Sequence, residues 1–234
     1  MLDNAFEALK TFDWGTDLAA LAPIEEAITA THGNAEASRD LEQRLIAALK
    51  TEISRDAQDY LCRKLATVGT AAAVPTLAGL VVNEKNSHMA RFALERIPAP
   101  EAAQALREAL PKVSGNLKIG VISSLGGRRD PAAVGPLSGL VNDAEPAIAR
   151  AATIALGAIG TAESAAALHN ALGGSITNKQ AAIDSLLACA EALLAGNKLA
   201  DALAIYKALA GDANGRLVRL AATRGILACS SRQA

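Results

Sequence analysis

The feature that most constrains this chain is a segment that recurs about every thirty residues. Residues 71–81 read Ala-Ala-Ala-Val-Pro-Thr-Leu-Ala-Gly-Leu-Val, and residues 131–141 read Pro-Ala-Ala-Val-Gly-Pro-Leu-Ser-Gly-Leu-Val. A looser copy, Glu-Ala-Ala-Gln-Ala-Leu-Arg-Glu-Ala-Leu, lies at 101–110. Another spans 162–172, with Ala165, Leu168 and Leu172 in the apolar positions. Units this short cannot bury an apolar face alone, so they must stack on one another.

Each copy predicts a helix, here called A, whose apolar residues fall at helical intervals. In the two best copies these are Val74, Leu77, Leu80 and Val81, then Val134, Leu137, Leu140 and Val141. A second helix, B, follows each A. Its clearest copy carries Ile148, Ala151, Ala152, Ala155, Leu156 and Ile159 and ends at Gly160. Earlier B counterparts are Leu61, Leu65 and Val68, then Met89, Phe92 and Ile97. Asp130-Pro131, Pro100-Glu101 and Pro23-Ile24-Glu25-Glu26 read as helix starts, because proline at the first helical position gives up no useful N–H. Gly69, Gly126-Gly127 and Gly160 are expected to close B helices in the left-handed region. Asn83 and Asn142-Asp143 fall at the tight A-to-B turns.

The composition agrees. Apolar residues make up 51% of the chain and aromatics only 3%, so the core is built from Ala and medium aliphatics. That suits helices packed closely and suits a β-sandwich poorly. The fold class expected is all-α.

With these residues in view, the chain resembles the HEAT-repeat superfamily, in particular the short repeats of the phycobilisome-lyase-like type. The segment Ala149-Arg150-Ala151-Ala152-Thr153-Ile154-Ala155-Leu156-Gly157-Ala158-Ile159-Gly160 is the best match, and good resemblance runs from about Ser54 to Leu172. The resemblance implies a right-handed α-α superhelix, a solenoid of stacked antiparallel helix pairs, with the B helices lining the concave side. Residues 1–53 carry helical patterns (Ala5, Phe6, Leu9, Phe12; then Leu41, Leu45, Ala48, Leu49) without the tight turn. They are expected to form an N-terminal cap continuous with a solenoid over 54–234, the whole being one structural domain. Gly196-Asn197-Lys198 to Leu209 looks like the second helix of a tetratricopeptide unit, so 178–210 is read as one lengthened pair. A last helix, Arg216 to Cys229, leaves Leu217, Val218, Leu220, Ile226 and Leu227 with little chain to cover them. We therefore expect a longer parent protein or a C-terminal helix that docks on something.

Chemistry is sparse. The formal charge of -1 and a pI near 6.3 argue against a dedicated nucleic-acid binder. Cys62, Cys189 and Cys229 sit in apolar helical patterns, far apart and odd in number, and read as buried hydrophobes. Some HEAT-like enzymes hold a di-iron centre with repeated His-Glu pairs, but here His32 precedes Gly33, His88 precedes Met89 and His169 precedes Asn170. No Cys or His pair has zinc spacing, and the paired glycines at 126–127 and 173–174 lack a phosphate-loop ending. No cofactor, metal or catalytic set is expected. Leu65 to Asn83 is uncharged, yet the repeat splits it into two helices, so no membrane insertion is expected. Met1-Leu2-Asp3-Asn4 lacks a cationic start and charges follow at once, so no secretory signal is read and a cytoplasmic setting is favoured.

The function expected is a non-catalytic scaffold that binds a protein or peptide on the concave face. The alternative is a lyase-like or chaperone-type accessory protein acting on a small molecule or chromophore, an analogy from fold alone. Candidate binding residues are the cations of the B helices: Arg91, Lys118, Arg150, Lys179, Arg216 and Arg219. The simpler reading of the repeated arginines is that they tie neighbouring repeats together through turn residues such as Asp143. Phe12, Trp14 and Tyr60 are expected to serve in core packing rather than recognition.

Overall fold

The computed structural model describes residues 1–174 and 176–232. Among them are fourteen α-helices and no strand, and the fold is an all-α solenoid of stacked helix pairs. The chain forms two compact units, Met1–Ser124 and Leu125–Ala234.

The first unit opens with α1 (Leu2–Ala8), α2 (Ala22–Ala30) and α3 (Ala35–Leu49). The repeats follow as α4 (Arg55–Val68), α5 (Val74–Val81), α6 (Ser87–Arg96) and α7 (Pro100–Ala109), and α8 (Gly115–Gly127) begins in this unit. Caps set the starts: Asn34 and Ser54 accept the Ala37 and Ala57 N–H groups at 3.1 and 3.0 Å. The A helix α5 packs on its own B helix α6 and on the next A helix α7, while α4 packs on α6, B on B. Leu61, Leu65, Leu77, Met89, Leu94 and Leu106 fill the space between, each no more than 2% exposed. A break at residues 69–73 separates α4 from α5. Among the described residues no helix is long and apolar enough to cross a membrane.

The second unit holds α9 (Val134–Ser138), α10 (Pro146–Ile159), α11 (Ala162–Leu172), α12 (Lys179–Ala195), α13 (Leu199–Leu209) and α14 (Arg216–Ser231). Here α10 packs on α12, α9 on α11, and α13 on both α12 and α14. Helix α12 stacks on α10 as a B helix and packs on α11 before it as well as on α13 after it, so the stretch 178–210 read as one lengthened pair spans the end of one repeat and the start of the next. The two strongest sequence copies share a further detail. Each A helix is entered through a single 3-10 turn, Ala71–Ala73 or Pro131–Ala133, whose backbone is capped by Thr70 or Asp130.

Small residues let the B helices approach closely. A methyl group added to Gly157 would lie 2.9 Å from Ser185 Cα, and one added to Gly126 would lie 2.9 Å from Ala155 Cα. This spacing is the structural reason for a core poor in aromatics. Gly69 differs from the expectation. Its backbone is extended, with φ -69° and ψ 143°, and glycine is required because a Cβ would strike the Leu65 carbonyl and the Ile97 side chain. Of the expected B-helix ends, the one at Gly160 is left-handed, as expected, and the one after α8 turns left-handed at Arg129, just beyond Gly126-Gly127.

Two features of the N-terminal segment were not legible in the sequence. Glu42 on α3 is 3% exposed, and its carboxylate accepts the Thr70 N–H at 2.5 Å and the Thr70 hydroxyl at 2.9 Å. A buried carboxylate thus caps the entry to the first repeat. The expected core role of the aromatics holds only in part. Phe12 and Tyr60 are half-buried with ring centroids 6.2 Å apart, whereas Trp14 is 91% exposed. Trp14 sits at a loop turned by Gly15 at φ +81°, with no helix behind it to bury the indole.

Candidate functional site

The six candidate cations fall into different environments. Arg91 on α6 is half-buried, and its guanidinium donates to the Gly120 carbonyl at 2.9 Å and to Ser124 Oγ at 3.1 Å, both on α8. Glycine at 120 makes room, since a Cβ there would collide with the guanidinium. Ser124 is fully buried and donates in turn to Glu95 at 2.6 Å. Burial draws the Arg91 guanidinium below the ordinary arginine value, with Glu95 acting in the opposite sense. Arg91 therefore ties one B helix to the next. The tie runs to a carbonyl and a serine rather than to a turn residue, and Asp143 instead accepts the Glu145 N–H within its own turn at 2.9 Å.

Arg219 pairs with Asp212 at 2.6 Å, in the loop that leads into its own helix. Lys118 is half-exposed on α8, and Arg216 is exposed at the first position of α14. Arg150 and Lys179 are the two that the fold brings together. Both are exposed, neither has an ion-pair partner among the described residues, and both line a groove of about 670 Å³ between α10 and α12.

The groove follows from the repeat itself. Gly157 and Ser185 draw the two B helices together at its base, and Ala158, Ala181 and Ala188 keep the walls low. Ile154 stands on its α10 wall, 45% exposed. Gln180 and Asp184 face it from α12, joined by a hydrogen bond of 2.9 Å. At one end Asn178 reaches the Pro146 carbonyl at 3.5 Å, linking the starts of the two helices. The result is a trough with two free cations, an exposed aliphatic side chain and amide and carboxylate groups. That is the chemistry for holding an extended chain by charge and shape.

A second cavity, of about 320 Å³, lies between the A helices α11 and α13, with Ala-rich walls, His169 and Asp201. On the first unit, Phe92 is covered by two guanidiniums, Arg96 at 3.7 Å and Arg63 at 5.3 Å from the ring centre. The sequence reading missed this cluster. Its cations are engaged, Arg63 with Asp59 at 2.8 Å and Arg96 with the Phe92 carbonyl at 3.2 Å. All three thiols are buried and unpaired, and burial raises Cys62 to about 12 and Cys189 to about 11. Cys62 and Cys189 therefore stay protonated near neutral pH. Among the described residues no group of three or more His, Cys, Asp or Glu side chains is placed to hold a metal ion.

Repeated A/B pairs stacked A on A and B on B define a helical-repeat scaffold. Residues 103–187 match the family model for HEAT repeats. Among solved structures, human deoxyhypusine hydroxylase in complex with glycerol is 19% identical, with a TM-score of 0.40 over 98% of this chain and 96% of that one. An engineered protein is 18% identical, with a TM-score of 0.41 over 97% of each chain. Likeness at this level carries no argument about activity. No protein of curated function matches the sequence.

Proposed function

We propose that the protein is a non-catalytic scaffold that holds an extended, acidic segment of a protein partner in the groove between α10 and α12. The observation that carries this reading is the juxtaposition of Arg150 and Lys179, both free, with Ile154 over a floor of small residues. Arg150 and Lys179 receive carboxylates of the partner, and Ile154 meets an aliphatic side chain between them. Two other findings support it. The Cys62 and Cys189 thiols are buried and protonated, which leaves them poor nucleophiles. Two further arginines of the candidate set, Arg91 and Arg219, are engaged within the protein and so serve the frame rather than the groove.

The test places a photoreactive side chain at position 154 in the full chain and identifies crosslinked proteins from the source cells. The same bait carrying Arg150→Glu and Lys179→Glu serves as the control, with its helical content checked by circular dichroism. A crosslinked partner with an acidic stretch at the crosslink, lost in the control, is the expected result. A partner retained equally by the control, or captured only by a second bait with the photoreactive side chain at Ala204 in the cavity between α11 and α13, would overturn the reading.

A further inference from the structure

The large apolar side chains exposed on the surface are not scattered. Apart from Met1, Val82 and Ile154, they gather in two short segments, and both differ from the α10–α12 groove. One is the loop after α1, where Trp14 is 91% and Leu18 59% exposed. The other is α14, where Leu217, Leu220 and Leu227 are 80%, 56% and 65% exposed. On α14 these residues recur at i, i+3 and i+10 with Arg224 at i+7, so they form one stripe along a single helix face.

The charges around the two segments are opposite in sign. Residues 1–53 carry ten acidic and four basic side chains, and residues 211–232 carry four arginines and one aspartate. The contrast is sharpest beside the apolar residues. Asp13 immediately precedes Trp14, and Asp17 immediately precedes Leu18. Both aspartates are exposed and have no ion-pair partner among the described residues. Arg216 precedes Leu217, and Arg224 lies within the leucine stripe; both are exposed and likewise unpaired among the described residues. The loop is also held in shape before any docking. Asp13 accepts the Trp14 N–H at 2.9 Å, Asp17 accepts the Ala19 N–H at 2.9 Å, and Thr16 accepts the Asp13 N–H at 3.1 Å.

We infer that the protein associates with itself head to tail, the Trp14–Leu18 loop of one copy docking on the α14 stripe of the next. Trp14 and Leu18 cover Leu217, Leu220 and Leu227, and Asp13 and Asp17 meet Arg216 and Arg224. An exposed tryptophan and arginine are the side chains that most often anchor an interface. A pairing of α14 with α14 would bring arginine against arginine, which disfavours a symmetric contact. The two surfaces are different patches, so the contact is heterologous and each copy retains one free head and one free tail.

Sedimentation of the full chain, from low micromolar to near-millimolar concentration at low salt, tests this. The weight-average mass is expected to rise past that of a dimer, and to fall back when salt is raised. Two variants then separate the possibilities. Trp14→Ala with Leu18→Ala removes the head, and Leu217→Ser with Leu220→Ser and Leu227→Ser removes the tail; all five residues are exposed, so the fold is retained. Each variant alone is expected to be monomeric, and their equimolar mixture is expected to form a one-to-one dimer that grows no further. A wild-type chain that stays monomeric at the highest concentration would overturn the inference. So would association that survives in the head variant, or a mixture that fails to pair.

Discussion

The close approach of α10 and α12 makes a substitution that normally stabilises a helix do the reverse. Replacing glycine by alanine inside a helix gains about 1 kcal/mol from backbone entropy. At Gly79 on α5 no atom lies within 4 Å of the new methyl group, so Gly79→Ala keeps that gain and raises the melting temperature by roughly 2–4 °C. At Gly157 the same methyl group would lie 2.7 Å from Ser185 Cβ and 2.9 Å from Ser185 Cα. A Cα cannot rotate away, so the two helices must separate. Overpacking of this kind costs about 1–3 kcal/mol, and a backbone obstacle places it at the upper end. Gly157→Ala is therefore expected to lose about 1–2 kcal/mol net and to melt roughly 2–8 °C lower. Thermal and urea melts followed by circular dichroism compare the two variants. Ser185→Gly removes the Cβ and Oγ contacts but leaves Cα in place, so the double variant should recover part of the loss as a favourable coupling. A Gly157→Ala protein as stable as the wild type or more so would refute the close packing and, with it, the floor of the groove.

Other outcomes follow from the same structure. Arg91→Ala removes two hydrogen bonds from a charged donor to α8 and should cost about 1.5–3 kcal/mol in urea unfolding. Arg150→Ala, at an exposed and unpaired position, should stay within about 0.5 kcal/mol of wild type. Glu42→Ala leaves the Thr70 N–H without its buried acceptor and should cost about 2 kcal/mol, whereas Glu42→Gln keeps an acceptor oxygen and should cost less. Stability should fall at alkaline pH. Cys62 and Cys189 hold their protons to about 12 and about 11 in the folded chain, while the unfolded chain releases them near 9. The stabilisation is complete below the unfolded value and is lost as pH climbs from there toward the folded values, by about 1 kcal/mol per thiol at pH 10. Melts at pH 8 and pH 10 check it, and Cys62→Ala should flatten the difference.

The amino-acid sequence determined the fold class, the A and B helices and most of their ends, because these are local. A thirty-residue period, apolar spacing of three and four, and helix starts such as Asp130-Pro131 and Pro100-Glu101 act within a turn or two of themselves. Gly160 and the turn asparagine and aspartates likewise needed no neighbour to be read. What only the tertiary structure decided depends on which element comes to lie against which. Arg91 and Arg150 occupy similar places on their helices, yet one is locked to Gly120 and Ser124 and the other is free, because residues about thirty positions away differ. Nothing local to Glu42 marks it for burial; only the placement of Thr70 against it does. Gly69 looked like a left-handed stop and proved to be a contact with Ile97. Trp14, the only tryptophan, was expected inside and lies outside, because burial of a loop side chain needs a helix to cover it and none is placed there. Periodicity fixes which face of a helix is buried; the identity of the neighbour fixes what each charge on that helix can do.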